Sequence, residues 1–116
     1  MPEKKFHKDA STFTKLVPPM GVCLASDRIT VDGMEVGYCY HEEPDDEYDS
    51  GWRFLSGDED EAYMNNARNF AYYDVNTVAN YDPDIIPLLE APEGTAFARD
   101  ATGKFVAEPL ITEDES

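Results

Sequence analysis

The chain has 116 residues, enough for one domain that buries roughly two-thirds of its unfolded surface and needs no disulfide or metal to hold its core. Its 25 Asp+Glu against nine Lys+Arg give a formal net charge of -16, which excludes a nucleic-acid footprint and opposes an anionic membrane surface, while fitting either a basic partner or high solubility. A hydrophobic fraction of 41%, with seven Tyr, six Phe and one Trp, excludes a chain too polar to fold.

Residues 1–19 read as an N-terminal arm. Lys4, Lys5, Lys8 and Lys15 outnumber its acids, and Pro18-Pro19 punctuates its end. The arm either lies against the acidic body or stays mobile. No apolar run follows its lysines, and no window approaches the roughly 20 apolar residues of a bilayer span, so a cytoplasmic location is expected. Cys23 and Cys39 are then expected to be reduced, packed thiols.

Residues 20–108 form the expected domain. A strand is predicted over 21–26. Asp32-Gly33 between Ile29-Thr30-Val31 and Met34-Glu35-Val36 predicts a type I′ hairpin pairing 29–31 with 34–41. In the returning strand Met34, Val36, Tyr38 and Tyr40 share one face, and Glu35, Gly37, Cys39 and His41 the other. Gly37 marks a close approach by another element. The loop 42–50, EEPDDEYDS, carries six carboxylates, and a strand over 51–56 follows.

Asp58 with Glu61 in capping-box spacing predicts a helix over 59–66. Asp74 is a second N-cap, and Val75, Val78 and Ala79 keep the spacing of a buried helical face over 75–81. Asp82-Pro83-Asp84 restarts the chain as a fresh cap, with apolar turns at Ile85-Ile86 and Leu88-Leu89 interrupted by Pro87. Those four apolar residues are expected to plug the core. A last hairpin pairs 95–99 with 104–107 around Asp100-Ala101-Thr102-Gly103. Residues 109–116 read as an acidic, disordered tail. The fold class is α+β: a single domain with a mainly antiparallel sheet, hairpins and a few short helices on one face.

Catalytic chemistry finds little footing. Zinc needs about four converging ligands, and Cys23, Cys39, His7 and His41 contain no Cys-x-x-Cys pair. Asp45, Glu47 and Asp49 alternate as calcium ligands do, but Ser50 and Ser56 stand where an EF-hand needs Gly and Glu. Two histidines, no nucleophile elbow and no phosphate-cradling glycine loop leave only carboxylate pairs, which are uninformative among so many acids. No metal or cofactor is expected, and the chain is not expected to be an enzyme. Aromatic residues beside acids stand out instead. Asp45, Asp46, Tyr48, Asp49 and Trp52 form one group, and Tyr72 and Tyr73 belong to another. They are either core residues, the plainer assignment for Trp52, or anchors for a protein partner that the carboxylates steer in. Neutralising Asp45, Asp46 and Asp49 together is expected to leave stability nearly unchanged.

The segments SDRITVDGMEVGYCYHEEPDDEYDSGWRFLSGDE at 26–59 and YDVNTVANYDPDIIPLLEAPEGTAF at 73–97 resemble a small bacterial family of Imm33-type immunity proteins from polymorphic toxin systems. The resemblance covers most of the chain outside the arm and tail, and it implies no catalytic residue and no cofactor. It implies a protein that binds a cognate toxin, and the acidic charge of the chain suits a basic toxin domain as that partner. The alternatives are a regulatory or housekeeping interaction domain without a toxin and a small carboxylate-dependent hydrolase. Oligomeric state stays open.

Overall fold

Ser26 and Asp74 both end a strand and cap the helix that follows, and these two junctions organise one side of the molecule. In a computed structural model that describes residues 5–109, β1 (Val22–Ser26) runs directly into the short helix α1 (Asp27–Thr30), with the Ser26 hydroxyl accepting from the Arg28 N–H. β4 (Phe70–Asp74) runs into α3 (Val75–Tyr81), with the Asp74 carboxylate accepting from the Asn76 N–H. Each cap satisfies a helix-end donor that would otherwise be orphaned.

Between them lie β2 (Tyr38–His41), β3 (Asp49–Leu55) and the one-turn helix α2 (Glu61–Met64). A 3₁₀ helix over Pro83–Leu88 follows α3, and β5 (Thr95–Arg99) and β6 (Phe105–Pro109) close the fold. The strand order is β4-β1-β3-β2-β5-β6. β1 and β3 pair in parallel, and the other neighbours are antiparallel. The α+β class stands, with that one parallel pair making the sheet mixed.

The parallel pair follows from a correction at Asp32-Gly33, which forms no hairpin. Residues 27–30 are helical, and Gly33, at φ +78°, adopts the left-handed conformation that stops a helix. The Gly33 N–H donates to the Ile29 carbonyl, and the Met34 N–H donates to that of Arg28. Asp32 has no positive φ, which a type I′ turn requires at both central residues. With no strand at 29–31, β2 pairs with β3 and β5, and β3 lies between β2 and β1. The expected alternation also gives way, since Val36 and Cys39 are both buried and only 38–41 is strand.

Other boundaries move for local reasons. Asp60, not Asp58, caps α2 by accepting from the Tyr63 N–H, and the helix lasts one turn before a 3₁₀ turn at Ala67–Asn69. The edge strand β4 was not predicted. The two apolar turns at 85–89 are one 3₁₀ segment that contains Pro87, with Asp82 as its cap. Ile85 and Leu89 are buried there, while Ile86 and Leu88 are half-buried. Gly37 does mark a close approach: a β-carbon there would collide with the Ser56 carbonyl. The β5–β6 loop closes as expected, with Gly103 left-handed at φ +85°.

The core lies on one face of the sheet. Cys23, Ala25, Cys39, Trp52 and Phe54 from the strands pack with Ile29, Val75, Val78, Ala79 and Ile85. Both cysteines are buried free thiols, and desolvation raises the pKa of each. The arm lies along the outside of α3. Asn76 Oδ1 accepts from the Leu16 and Val17 N–H groups, Asn76 and Asn80 donate to the Thr14 carbonyl, and Phe13 meets Tyr81 edge-on at 5.6 Å. Val17 anchors this stretch in the core. Among the described residues no helix is long and apolar enough to cross a membrane. The tail expected to be disordered lies, beyond Pro109, outside the described residues.

Candidate functional site

Arg53 organises the acidic loop. It alternates along β3 with Trp52 and Phe54, so it points away from the core, between Leu24 on β1 and Tyr40 on β2. Its side chain is nevertheless 4% exposed, because the loop folds over it. Nη1 donates to Asp49 Oδ1 at 2.9 Å and Nη2 to Asp49 Oδ2 at 2.8 Å, a two-pronged pair, while Nε donates to Glu42. Asp45 stands farther off, at 3.7 Å.

Asp49 in turn holds the backbone, with Oδ1 accepting from the Gly51 N–H and Oδ2 from the Asp45 N–H. The Arg53 hydrogen bonds are the main reason its carboxyl titrates well below the ordinary carboxylate range, and they raise Arg53 in return. Asp46 accepts from the Tyr48 and Asp49 N–H groups, turning the loop tip. His41 packs flat on Trp52 at 4.7 Å, its two ring nitrogens 2.9 and 3.0 Å from the Ala91 and Ser50 carbonyl oxygens.

Five of the seven residues singled out from the sequence come together. Asp45, Asp46, Tyr48, Asp49 and Tyr72 line a recess of about 220 Å³ with Val22. Tyr48 and Tyr72 are 69% and 58% exposed and both line the recess, although 24 positions separate them in the chain. Trp52 does not join them. It is fully buried between His41 and Phe54, so it is a core residue and not a rim anchor. Tyr73 is the neighbour of Tyr72 on a strand and so takes the opposite face. It is half-buried, its hydroxyl 3.3 Å from Thr30 Oγ1 and its ring edge-on to Phe6.

Asp49 lines the recess yet is committed to Arg53. Neutralising Asp45, Asp46 and Asp49 together would therefore leave the buried Arg53 with Glu42 alone, which argues against the expected near-constant stability of that triple change. The same commitment takes Asp49 out of any calcium-like alternation with Asp45 and Glu47. Among the described residues no group of three or more His, Cys, Asp or Glu is arranged to hold a metal.

Arg53 was missed as the organiser, although a lone cation beside a run of acids was a visible signal. The strand that carries Tyr72 was missed as well, despite the β-forming composition of Phe-Ala-Tyr-Tyr at 70–73.

The class defined by this arrangement is a small α+β domain that presents an acidic, tyrosine-walled loop at the end of a mixed sheet. The chain belongs to the immunity protein Imm33 domain family, whose model matches residues 23–108. No curated protein matches the chain, and no solved structure does.

Proposed function

We propose that the protein is an immunity protein that neutralises a cognate toxin by binding it, using the face formed by the acidic loop, Tyr48 and Tyr72, and that the toxin surface it covers is basic. Membership of an immunity family supports the protein partner in general. The observation that carries the site is the convergence of two exposed tyrosines, distant in sequence, on carboxylates of which Asp49 is held by Arg53 and Asp46 by the loop backbone. Tyrosines on a rigid scaffold supply contact area at low entropic cost, and flanking carboxylates accelerate encounter with a cationic surface. A basic nuclease would have its phosphate-binding groups occupied by this face.

The hydrolase alternative needs two convergent carboxyls, one of them raised in pKa to act as an acid. Among the described residues, the four carboxyls that are shifted all move downward. Asp49 is lowered by Arg53, Asp9 by the Ser11 N–H and Asp100 by Thr102. Burial alone would raise Glu59, but hydrogen bonds, the Ser56 N–H foremost, outweigh it. This favours binding over hydrolysis.

The test is affinity capture from native lysate at low and high salt, followed by expression of the captured protein with and without this chain. A captured protein that arrests growth alone and is harmless in company supports the reading. A captured protein that is harmless by itself favours the regulatory alternative, and persistent arrest in the presence of this chain refutes neutralisation.

A further inference from the structure

On the sheet face turned away from α3, Ser26 and Arg53 are buried and Leu24, Tyr40, Leu55 and Phe70 half-buried, with an open depression above them. Leu24, Tyr40, Leu55, Met64, Phe70 and Tyr72 line a trough of about 380 Å³ there. Tyr72 is also a wall of the loop recess, so the two depressions adjoin. At the other end Leu55 and Met64 are shared with a wider depression of about 770 Å³, which runs on to Met34 and Tyr38 and is edged by Glu35, Asp58, Glu59 and Arg99, with Asp58 also paired to Arg28. Tyr72, Met64 and Met34 are exposed. The open face therefore carries an apolar floor with carboxylates at both ends, and surfaces of this kind mark interaction sites.

The geometry points to this trough as the seat of a basic amphipathic segment of the partner protein, with apolar side chains on the floor and lysines or arginines at the rims, toward Asp45 and Asp46 at one end and Glu59 at the other. The inference rests on the toxin-binding reading and supplies the apolar half of that contact. Charge decides between occupants. A second copy would bring one net charge of -16 against another, and an anionic lipid surface would be repelled in the same way. A cationic segment is attracted. The cations at the depression are already matched: Arg53 by Asp49 and Glu42, Arg99 by Asp82, Asp84 and Glu35, and Arg28 by Asp58, which leaves Glu59, among the described residues, as the rim carboxylate at that end without a basic partner.

The experiment uses the full chain and two short peptides, one alternating lysine with leucine and one alternating lysine with serine. Binding is followed by calorimetry and by backbone amide shifts, for the parent and for a Met34→Ser/Met64→Ser variant, which leaves the loop recess intact. Both positions are exposed, and an unchanged thermal melt confirms the variant's fold. The leucine peptide is expected to shift the amides of Leu24, Tyr40, Leu55 and Met64, and to bind the variant about tenfold more weakly or worse. The serine peptide is expected to bind the parent weakly, and sedimentation to show a monomer.

Equal affinity for both peptides, equal affinity for parent and variant, shifts confined to residues 42–49, or a dimer that uses the same amides would each overturn the inference. If the variant still neutralises a captured toxin and the peptide misses the trough, the trough fails and the toxin reading stands. If the peptide seats in the trough and no toxic protein is captured, the reverse holds.

Discussion

Asp49→Asn is the sharpest perturbation of the site, because the change removes the charge while keeping the side-chain volume. Both side chains of the Asp49–Arg53 pair are 4% exposed, so little solvent is available to Arg53 once its partner is neutral. Asparagine offers one acceptor where the carboxylate offers two, and turns an NH₂ group toward the guanidinium or toward the Gly51 and Asp45 N–H groups that Asp49 now satisfies. Removing one partner of a buried pair costs ~3–5 kcal/mol. Glu42 still holds Arg53 Nε, which places the expected loss near ~3 kcal/mol. Urea denaturation at pH 7 measures it.

The sign with pH gives a second check. The folded-state pKa of Asp49 is depressed, so its stabilisation is fully present above the unfolded value of about 4 and is lost as pH falls toward the folded value. Parent and variant should therefore converge on acidification below that point. A further Arg53→Met change in the variant should recover part of the loss, because it removes the stranded charge. A loss under ~0.5 kcal/mol at pH 7 would refute the reasoning, since that is the scale of an ordinary surface substitution. So would a gap that stays constant as the pH is lowered.

Two further outcomes are expected away from the loop. Ile85→Ala should cost ~2–5 kcal/mol in chemical denaturation, and Leu88→Ala distinctly less, because Ile85 is fully enclosed and Leu88 only half-buried; equal costs would contradict the packing. Cys23 and Cys39 should resist a thiol reagent in the native state at mildly alkaline pH and react on unfolding. Burial pushes Cys39 up to about 12 and Cys23 upward as well, so the stability they contribute is present below the unfolded thiol value of ~8.5 and declines above it. Rapid labelling of both thiols in the folded protein would show that the core opens readily.

Much of the helical side was legible because its signals are local. Asp74 before Val75, Val78 and Ala79, and Asp82 before Pro83, each fix a helix start through contacts a few residues away. Gly37 was legible as a point of close approach, though not what approaches, because Ser56 arrives through sheet pairing. Asp32-Gly33 misled because a left-handed glycine serves a hairpin and a helix end equally well. The deciding residue was Ser26, whose cap on Arg28 turns the chain helical before the turn is reached. Of the site, the loop's acidity and its tyrosine were visible, while Tyr72 as a second tyrosine lining the recess depended on β4, an element not predicted. Trp52 and Tyr73 could not be separated from Tyr48 and Tyr72 by composition, since only strand register decides which side each ring takes.

Arg53 also bears on the thermodynamics of association. A six-carboxylate loop of independent side chains would lose rotamer and backbone freedom on meeting a partner, at ~0.5–1.5 kcal/mol for each side chain immobilised. Here Glu42 and Asp49 are already tethered to the guanidinium, and Asp46 to the backbone of the loop tip. That ordering cost is met during folding, so a basic partner of the kind proposed would meet carboxylates whose positions are set in advance, and more of the contact energy would be left to hold the complex together.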